Sequence, residues 1–218
     1  MEVRPVGPAA LLLDLDTDAE AAADVTVAVE AWRAELWRRW SAGDLVASDI
    51  VPGARTVLLD GVPDPAGLAR QIAGWPPPAP AGSAGAGLVE IPVRYDGPDL
   101  DSVAECWGVV PEEVVARHLA TEFRVAFCGF TPGFAYLTGL PERYHLPRRA
   151  TPRPSVPPGS VAVAGPYTGV YPRESPGGWH LIGTTDADLW DLGRAEPALL
   201  TPGATVRFVP ASTAGERA

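Results

Sequence analysis

Between Gly129 and Thr185 this chain cannot build a long helix. The stretch holds two glycine-proline signatures, Gly129-Phe130-Thr131-Pro132-Gly133-Phe134 and Glu174-Ser175-Pro176-Gly177-Gly178-Trp179, with Pro147-Arg148-Arg149 and Pro152-Arg153 between them. Each proline removes a backbone N–H donor, and each glycine raises the entropy cost of ordering. Yet Phe130, Phe134, Tyr136, Tyr144, Tyr167, Tyr171 and Trp179 are too many aromatics for a disordered linker. The pattern predicts short strands joined by tight turns that carry a binding surface.

Charge singles out the same stretch. From Arg124 to Arg173 there are six arginines (124, 143, 148, 149, 153, 173) and one acid, Glu142, a balance of +5. The whole chain carries −10, so the rest carries −15 (−10 minus +5). A basic island on an acidic protein attracts small anions such as a carboxylate or phosphate, and arginine's planar fork suits both. A solvated basic loop is the other reading of the same residues. Arg148 and Arg153 are the candidate clamp; Arg149 points the other way if the segment is extended. Phe134, Tyr136, Tyr171 and Trp179 either wall a pocket or fill a core. Gly129, Gly133, Gly177 and Gly178 make turns, and their N–H groups could also face an anion.

With 218 residues, 46% hydrophobic and 20% charged, the chain can bury one large core or two small ones. Its negative charge argues against nonspecific binding to nucleic acid or anionic membrane. All 17 basic residues are arginine, which excludes a Schiff-base, P-loop or biotin-carrier lysine. Met1–Pro5 does not read as a signal peptide, and the apolar run Ala9–Leu13 is too short to span a bilayer. Cys106 and Cys128 read as reduced thiols of a cytoplasmic protein.

In chain order, strands are expected at 3–6 and 11–15, and a helix over Ala19–Trp40 capped by Asp18. Val25, Val29, Trp32 and Leu36 lie on one face of that helix. A strand pair, Leu45–Val51 and Thr56–Leu59, then precedes a helix started by Asp64-Pro65 with Leu68 and Ile72 inward. This order suggests a small ferredoxin-like α+β domain over residues 1–75. Residues 76–87, within WPPPAPAGSAGAG, form a linker. A second domain, 88–210, opens with a strand at Leu88–Tyr95. Helices follow at Asp99–Trp107, stopped by Gly108, and from Pro111 through Leu119, the second carrying His118. Further strands are read at Arg124–Cys128, Ser160–Ala164, Trp179–Thr184 and Thr205–Val209; residues 211–218 are a tail. His118 could serve as acid, base or hydrogen-bond donor, or as a buried histidine capping local carbonyls. There is no G-x-S-x-G, H-E-x-x-H, C-x-x-C or Walker pattern, and with three histidines and two cysteines a structural zinc site is not expected. No nucleophile–base pair can be named, which fits a site completed by a partner.

These motifs, in this order, resemble one family: the B-type subunits of 5-oxoprolinase, also called allophanate hydrolase subunit 1, KipI-like, or carboxyltransferase domain subdomain C and D. The resemblance rests on Ile91-Pro92-Val93-Arg94-Tyr95-Asp96-Gly97-Pro98-Asp99-Leu100, His118, Gly129–Leu137, Gly139-Leu140-Pro141, Pro147-Arg148-Arg149, Pro152-Arg153, Pro158-Gly159-Ser160-Val161, Thr168–Pro172, Ser175–Trp179, Pro202-Gly203 and Val206-Arg207-Phe208. It is dense over 88–210 and loose over 3–73, where Gly7-Pro8-Ala9-Ala10 stands in place of the usual Gly-Asp-x-Ala.

The resemblance implies a cyclophilin-like β-barrel for the second domain. It implies a hydrolase subunit that opens the lactam of 5-oxoproline to give glutamate, with ATP and magnesium as co-substrate of the assembled enzyme. The chain itself would hold no metal or organic cofactor and would be inactive without a C-type partner subunit, with an A-type subunit as a further partner. Catalytic roles fall on His118, Arg148 and Arg153. Substrate binding falls on Gly129, Phe130, Pro132, Gly133, Phe134, Tyr136, Thr168, Tyr171, Pro172, Ser175, Pro176, Gly177, Gly178 and Trp179. Two alternatives within the resemblance are a KipI-like inhibitor of a sensor histidine kinase and a carboxyltransferase half-site of the urea carboxylase type.

Overall fold

The structure, a computed structural model, describes residues 1–15, 22–79 and 87–211. The expected Asp18 cap, the Gly-Ala half of the linker and most of the tail lie outside them. The chain divides into two compact units, Met1–Gly85 and Ala86–Ala218, of mixed α and β structure.

The first unit runs β1 (Glu2–Pro5), β2 (Ala10–Asp14), α1 (Ala22–Ala42), β3 (Asp49–Pro52), β4 (Thr56–Asp60) and α2 (Pro65–Ala73). Its antiparallel sheet has the order β1-β2-β4-β3. Leu11, Leu13, Val57 and Leu59 alternate inward and are fully buried. Val29, Trp32 and Leu36 of α1 join them in one core, with Leu68 and Ile72 of α2. Gly43, at φ 80, ends α1, and the Gly67 N–H bonds the Asp64 side chain at the start of α2. The strand expected from Leu45 begins four residues later. Leu45 turns into the core and the Trp40 indole N–H donates to the Ala47 carbonyl at 3.0 Å, so 45–48 is held as a loop.

The second unit comprises β5 (Leu88–Val93), α3 (Leu100–Trp107), α4 (Pro111–Ala120), β6 (Glu122–Cys128), β7 (Ala135–Thr138), a 3-10 turn (Glu142–Tyr144), β8 (Arg153–Val156), β9 (Ser160–Ala164), β10 (Tyr167–Val170), β11 (Ser175–Gly177), β12 (His180–Thr184) and β13 (Thr205–Pro210). Seven strands make a sheet in the order β12-β9-β10-β7-β6-β13-β5, curled into a half-barrel. All its pairs are antiparallel except β13 with β5, which run parallel from Thr205↔Leu88 to Pro210↔Val93. The two edge strands meet at one point. The Arg94 N–H donates to the Thr184 carbonyl at 2.9 Å, and the Thr184 N–H returns the bond to Arg94 at 2.7 Å. Gly97 allows the following turn to lie on β12, because a Cβ there would stand 2.3 Å from the Leu181 carbonyl oxygen.

Alternation along the strands gives this sheet two apolar faces. Val161, Val163, Leu137, Ile182 and Phe208 fill the inner core with residues of α3 and α4. Their neighbours Ala162, Ala164, Tyr136 and Leu181 belong to a second cluster with Phe134, Tyr171 and Trp179. The two-stranded ribbon β8–β11 adds Val156 to that second cluster.

Candidate functional site

The second face gathers most of the aromatics singled out in the sequence. Phe134 sits among Tyr136, Tyr171 and Trp179, with ring centroids 5.0, 5.4 and 5.5 Å away and near-perpendicular planes. Tyr136 stacks on Phe127 at 4.3 Å and meets Tyr167 edge-on at 5.5 Å. Phe134, Tyr171 and Trp179 are buried, whereas Tyr136 and Tyr167 are half-buried. The first three are thus the floor of the surface, and the other two its accessible part.

One end of this face is the Gly129–Phe134 loop between β6 and β7. The Thr131 N–H donates to the Gly129 carbonyl at 2.8 Å across Phe130, whose φ is 67, a γ-turn of the rare positive-φ kind. The Phe134 N–H then donates to the Thr131 carbonyl at 3.0 Å, with Pro132 and Gly133 (φ 84) in the positions a type II turn requires. Phe130 is the only non-glycine residue with positive φ among the described residues, and it is 57% exposed. Such strain concentrates where a backbone presents a group for binding. A shallow depression of about 330 Å³ opens beside the loop, lined by Cys128, Phe130, Thr131, Trp190, Ala198 and Leu200. Pro172 packs against the same loop, 3.2 Å from where a Gly133 Cβ would lie.

The arginine segment runs alongside the second glycine motif. The Arg149 N–H donates to the Gly178 carbonyl at 2.8 Å, His180 Nε2 lies 3.0 Å from the Pro147 carbonyl oxygen, and β8 pairs Arg153 with Gly177. The Ser175 hydroxyl donates to the Arg173 carbonyl, and Pro176 is exposed at the ribbon's edge.

The arginines divide their work. Arg149 Nη1 and Arg153 Nη2 both donate to Asp99 Oδ1, at 2.6 and 2.8 Å, while the Leu181 N–H donates to Asp99 Oδ2 at 2.7 Å. Asp99 is 4% exposed. Burial opposes its charge, but the bonds from Arg153 and Leu181 and the two guanidinium charges outweigh that and hold the carboxyl below its ordinary range. Arg143 lies over the Tyr144 ring. Arg148 is exposed and enters no salt bridge among the described residues. Arg153, expected as a clamp for a ligand, is therefore first of all a partner of Asp99. Sequence reading does not single out Asp99 as a site residue; it lies fifty residues from Arg149, and no local spacing links them.

His118 is not part of this surface. It is fully buried in the inner core, its ring 4.9 Å from Phe123 and 4.5 Å from Phe208, with Nδ1 2.7 Å from the Tyr95 hydroxyl. Desolvation lowers its pKa to about 3, so it stays neutral at physiological pH. A packing role, not an acid–base role at the surface, is what the fold gives it, because α4 turns Val114 and His118 toward the sheet together. Thr168 is likewise wholly buried, on the same strand face as the core residue Val170. Among the described residues no group of His, Cys, Asp and Glu is placed to hold a metal ion, and no helix is long and apolar enough to cross a membrane.

Known proteins carry the same chain pattern. The family described as carboxyltransferase domain, subdomain C and D, matches residues 1–200. The B subunit of 5-oxoprolinase from Escherichia coli O157:H7 is 55% identical over 126 residues, 56% of this chain and 58% of that protein. Its namesake from Bacillus subtilis (strain 168) is 48% identical over 125 residues, 56% of this chain and 52% of that protein. The match thus spans little more than half of these relatives. In structure, the chain aligns with TTHA0988 at TM-score 0.74 and 36% identity, over 99% of this chain and 41% of that one. The urea amidolyase of K. lactis aligns at TM-score 0.71 and 20% identity, over 96% of this chain and 15% of that one, a likeness of fold alone.

Proposed function

Since the chain belongs to the carboxyltransferase domain, subdomain C and D, family, we propose that it is the B-type subunit of an ATP-dependent 5-oxoprolinase. The observation that carries this reading is the 55% identity to a protein of that name. The surface on the second unit supports it: an aromatic floor bordered by arginine suits a small cyclic acid. The enzyme would open the lactam of 5-oxoproline to give glutamate. A lactam carbonyl is a poor electrophile, and ATP, with magnesium, would activate it by phosphorylating the amide oxygen. This chain's contribution is to bind and orient the acid and to supply positive charge near it.

The reading includes a division of the reaction between subunits. No nucleophile or nucleotide loop is identified on this chain, so a C-type subunit completes the site, with an A-type subunit as a further partner. We assign the assembly to the cytoplasm. We read the first unit as ferredoxin-like, supported by its β1-β2-β4-β3 order, which matches that fold with its last strand moved to the front. We read the second as a cyclophilin-like barrel, supported by the Arg94–Thr184 contact between its edge strands.

The test is 5-oxoproline-dependent ATP hydrolysis by the chain alone and with its C-type partner. Turnover only in the mixture is expected. Robust turnover by the chain alone would refute the shared site, and none by the full assembly would refute the activity.

A further inference from the structure

Arg149 and Arg153 each commit one nitrogen to the same oxygen. Arg149 Nη1 and Arg153 Nη2 lie 2.6 and 2.8 Å from Asp99 Oδ1, so the two guanidinium groups stand side by side. Neither uses the two-pronged fork that makes arginine a strong carboxylate ligand. The remaining nitrogens divide alike on both. Arg149 Nε and Arg153 Nη1 are buried without an acceptor. Arg149 Nη2 and Arg153 Nε have no acceptor among the described residues and are not buried.

Charge and burial give the pair a direction. Two guanidinium charges meet one carboxylate, so the cluster keeps one positive charge. The Asp99 side chain is 5% exposed, against 32% for Arg149 and 22% for Arg153. The carboxylate lies beneath, and a solute arriving from solvent meets the guanidinium groups. Holding like charges this close is unfavourable, and buried donors without acceptors add to the cost. The backbone enforces the arrangement. The Arg149 N–H is tied to Gly178, Arg153 is paired with Gly177, and the Leu181 N–H fixes the far oxygen of Asp99 at 2.7 Å. A cationic pair held in this way is preorganised for an anion.

We infer that Arg149 and Arg153 together bind the carboxylate of a small monoanionic acid, and that Asp99 is the positioning residue that holds them for it. The residual charge selects the class. One carboxylate neutralises the cluster, whereas a phosphate dianion or a nucleotide triphosphate brings an excess of negative charge. The identity of the acid, 5-oxoproline, rests on the proposed function; its class rests on the cluster alone. Arg149, which simple alternation along the segment turns away from the site, is half of the receptor.

Isothermal titration of the full chain, alone and with its C-type partner, tests this with 5-oxoproline, its uncharged carboxamide and inorganic phosphate. Wild type should prefer the acid to the carboxamide, and phosphate should not displace it. Arg149→Gln should weaken acid binding by about 10-fold or more, the range of one charge-assisted contact, and erase the preference for acid over amide. Arg149→Lys keeps the charge and should restore part of it. Arg173→Gln removes an exposed charge elsewhere in the same basic stretch and should leave binding unchanged. Asp99→Asn separates positioning from charge. It raises the cluster to two positive charges, yet should weaken acid binding at an unchanged number of sites. Partial unfolding alone would lower the number of sites and keep the affinity. Five results would overturn the assignment: no acid binding in either preparation, wild-type affinity in Arg149→Gln, equal loss in Arg173→Gln, displacement of the acid by phosphate, or tighter acid binding in Asp99→Asn. Acid binding through the pair without turnover by the assembly would sink the enzymatic reading and leave this one standing. Turnover that survives intact in Arg149→Gln would do the reverse.

Discussion

Arg149 reaches across fifty residues of chain to Asp99, and Nη1 and Oδ1 meet at 2.6 Å. The contact ties the turn before α3 to the arginine segment, and through the Leu181 N–H it also ties both to β12. Removing the carboxylate charge would leave two guanidinium groups facing each other without compensation. Asp99→Asn should therefore cost about 2–4 kcal/mol of stability, read as a drop in urea midpoint with an unchanged slope. A loss below about 0.5 kcal/mol would mean the cluster contributes nothing.

Arg148 and Arg153 are equivalent in the sequence and are expected to separate by experiment. Arg148→Ala should stay within about 0.5 kcal/mol of wild type, as exposed unpaired residues do. Arg153→Ala should lose about 1–3 kcal/mol, because Asp99 forfeits a charge-assisted bond. Equal melting temperatures for the two variants would contradict the division of roles.

Acid should destabilise the second unit in two stages. His118 is neutral when folded, with a pKa lowered to about 3, while the unfolded chain binds a proton below about pH 6.5. Between those values the unfolded state holds more protons, so stability falls by about 1.4 kcal/mol per pH unit as pH decreases. Asp99 adds a later loss. Its folded pKa is depressed, so its contribution is present above about pH 4 and disappears as pH drops through the folded value. In the double variant Tyr95→Phe, His118→Phe, which removes both hydrogen-bonding partners together, the slope from about pH 6.5 to 4.5 should flatten.

Gly133→Ala should destabilise by at least about 1 kcal/mol. The added methyl must adopt φ 84 and would stand 2.9 Å from Trp190 Cβ. A lower melting temperature with altered Trp190 fluorescence would report it; an unchanged melt would show that the loop relaxes freely.

Both cysteines should titrate as free thiols in denaturant, but at different rates in the native protein. Cys106 is exposed, whereas burial pushes the Cys128 thiol up to about 11 and its Sγ lies on the Leu200 carbonyl. One fast thiol and one slow thiol are expected with an aromatic disulfide reagent, since only the thiolate attacks. Two fast thiols would place Cys128 outside the core.

Legibility follows locality. The helices from Pro65 and Pro111 begin where the sequence puts them, because proline at the first turn and a stopping glycine at 108 act within a few residues. The strand Ser160–Ala164 is readable as an apolar run, since all five residues are buried. The ribbon of Arg153–Val156 with Ser175–Gly177 is readable only as turn-rich chain. Its strands are four and three residues long, rich in proline and glycine, and exist through each other. In the candidate site, the sequence alone picks out Phe134, Tyr136, Tyr171 and Trp179, which the fold gathers into one cluster. It does not reveal the role of Arg153, which depends on Asp99, or the burial of His118, which depends on Phe208 ninety residues later.

The parallel pairing of β13 with β5 sets an order of events during synthesis. Thr205–Pro210 lies between β5 and β6, strands made more than seventy residues earlier. Until those six residues leave the ribosome, β5 and β6 have no neighbour on their facing edges, and loop closure over that separation is slow. The first unit, whose pairings all lie within its own sixty leading residues, has no such dependence. The nascent chain therefore passes through a stage with one finished unit and one unzipped sheet, whose open edges need shielding until β13 arrives.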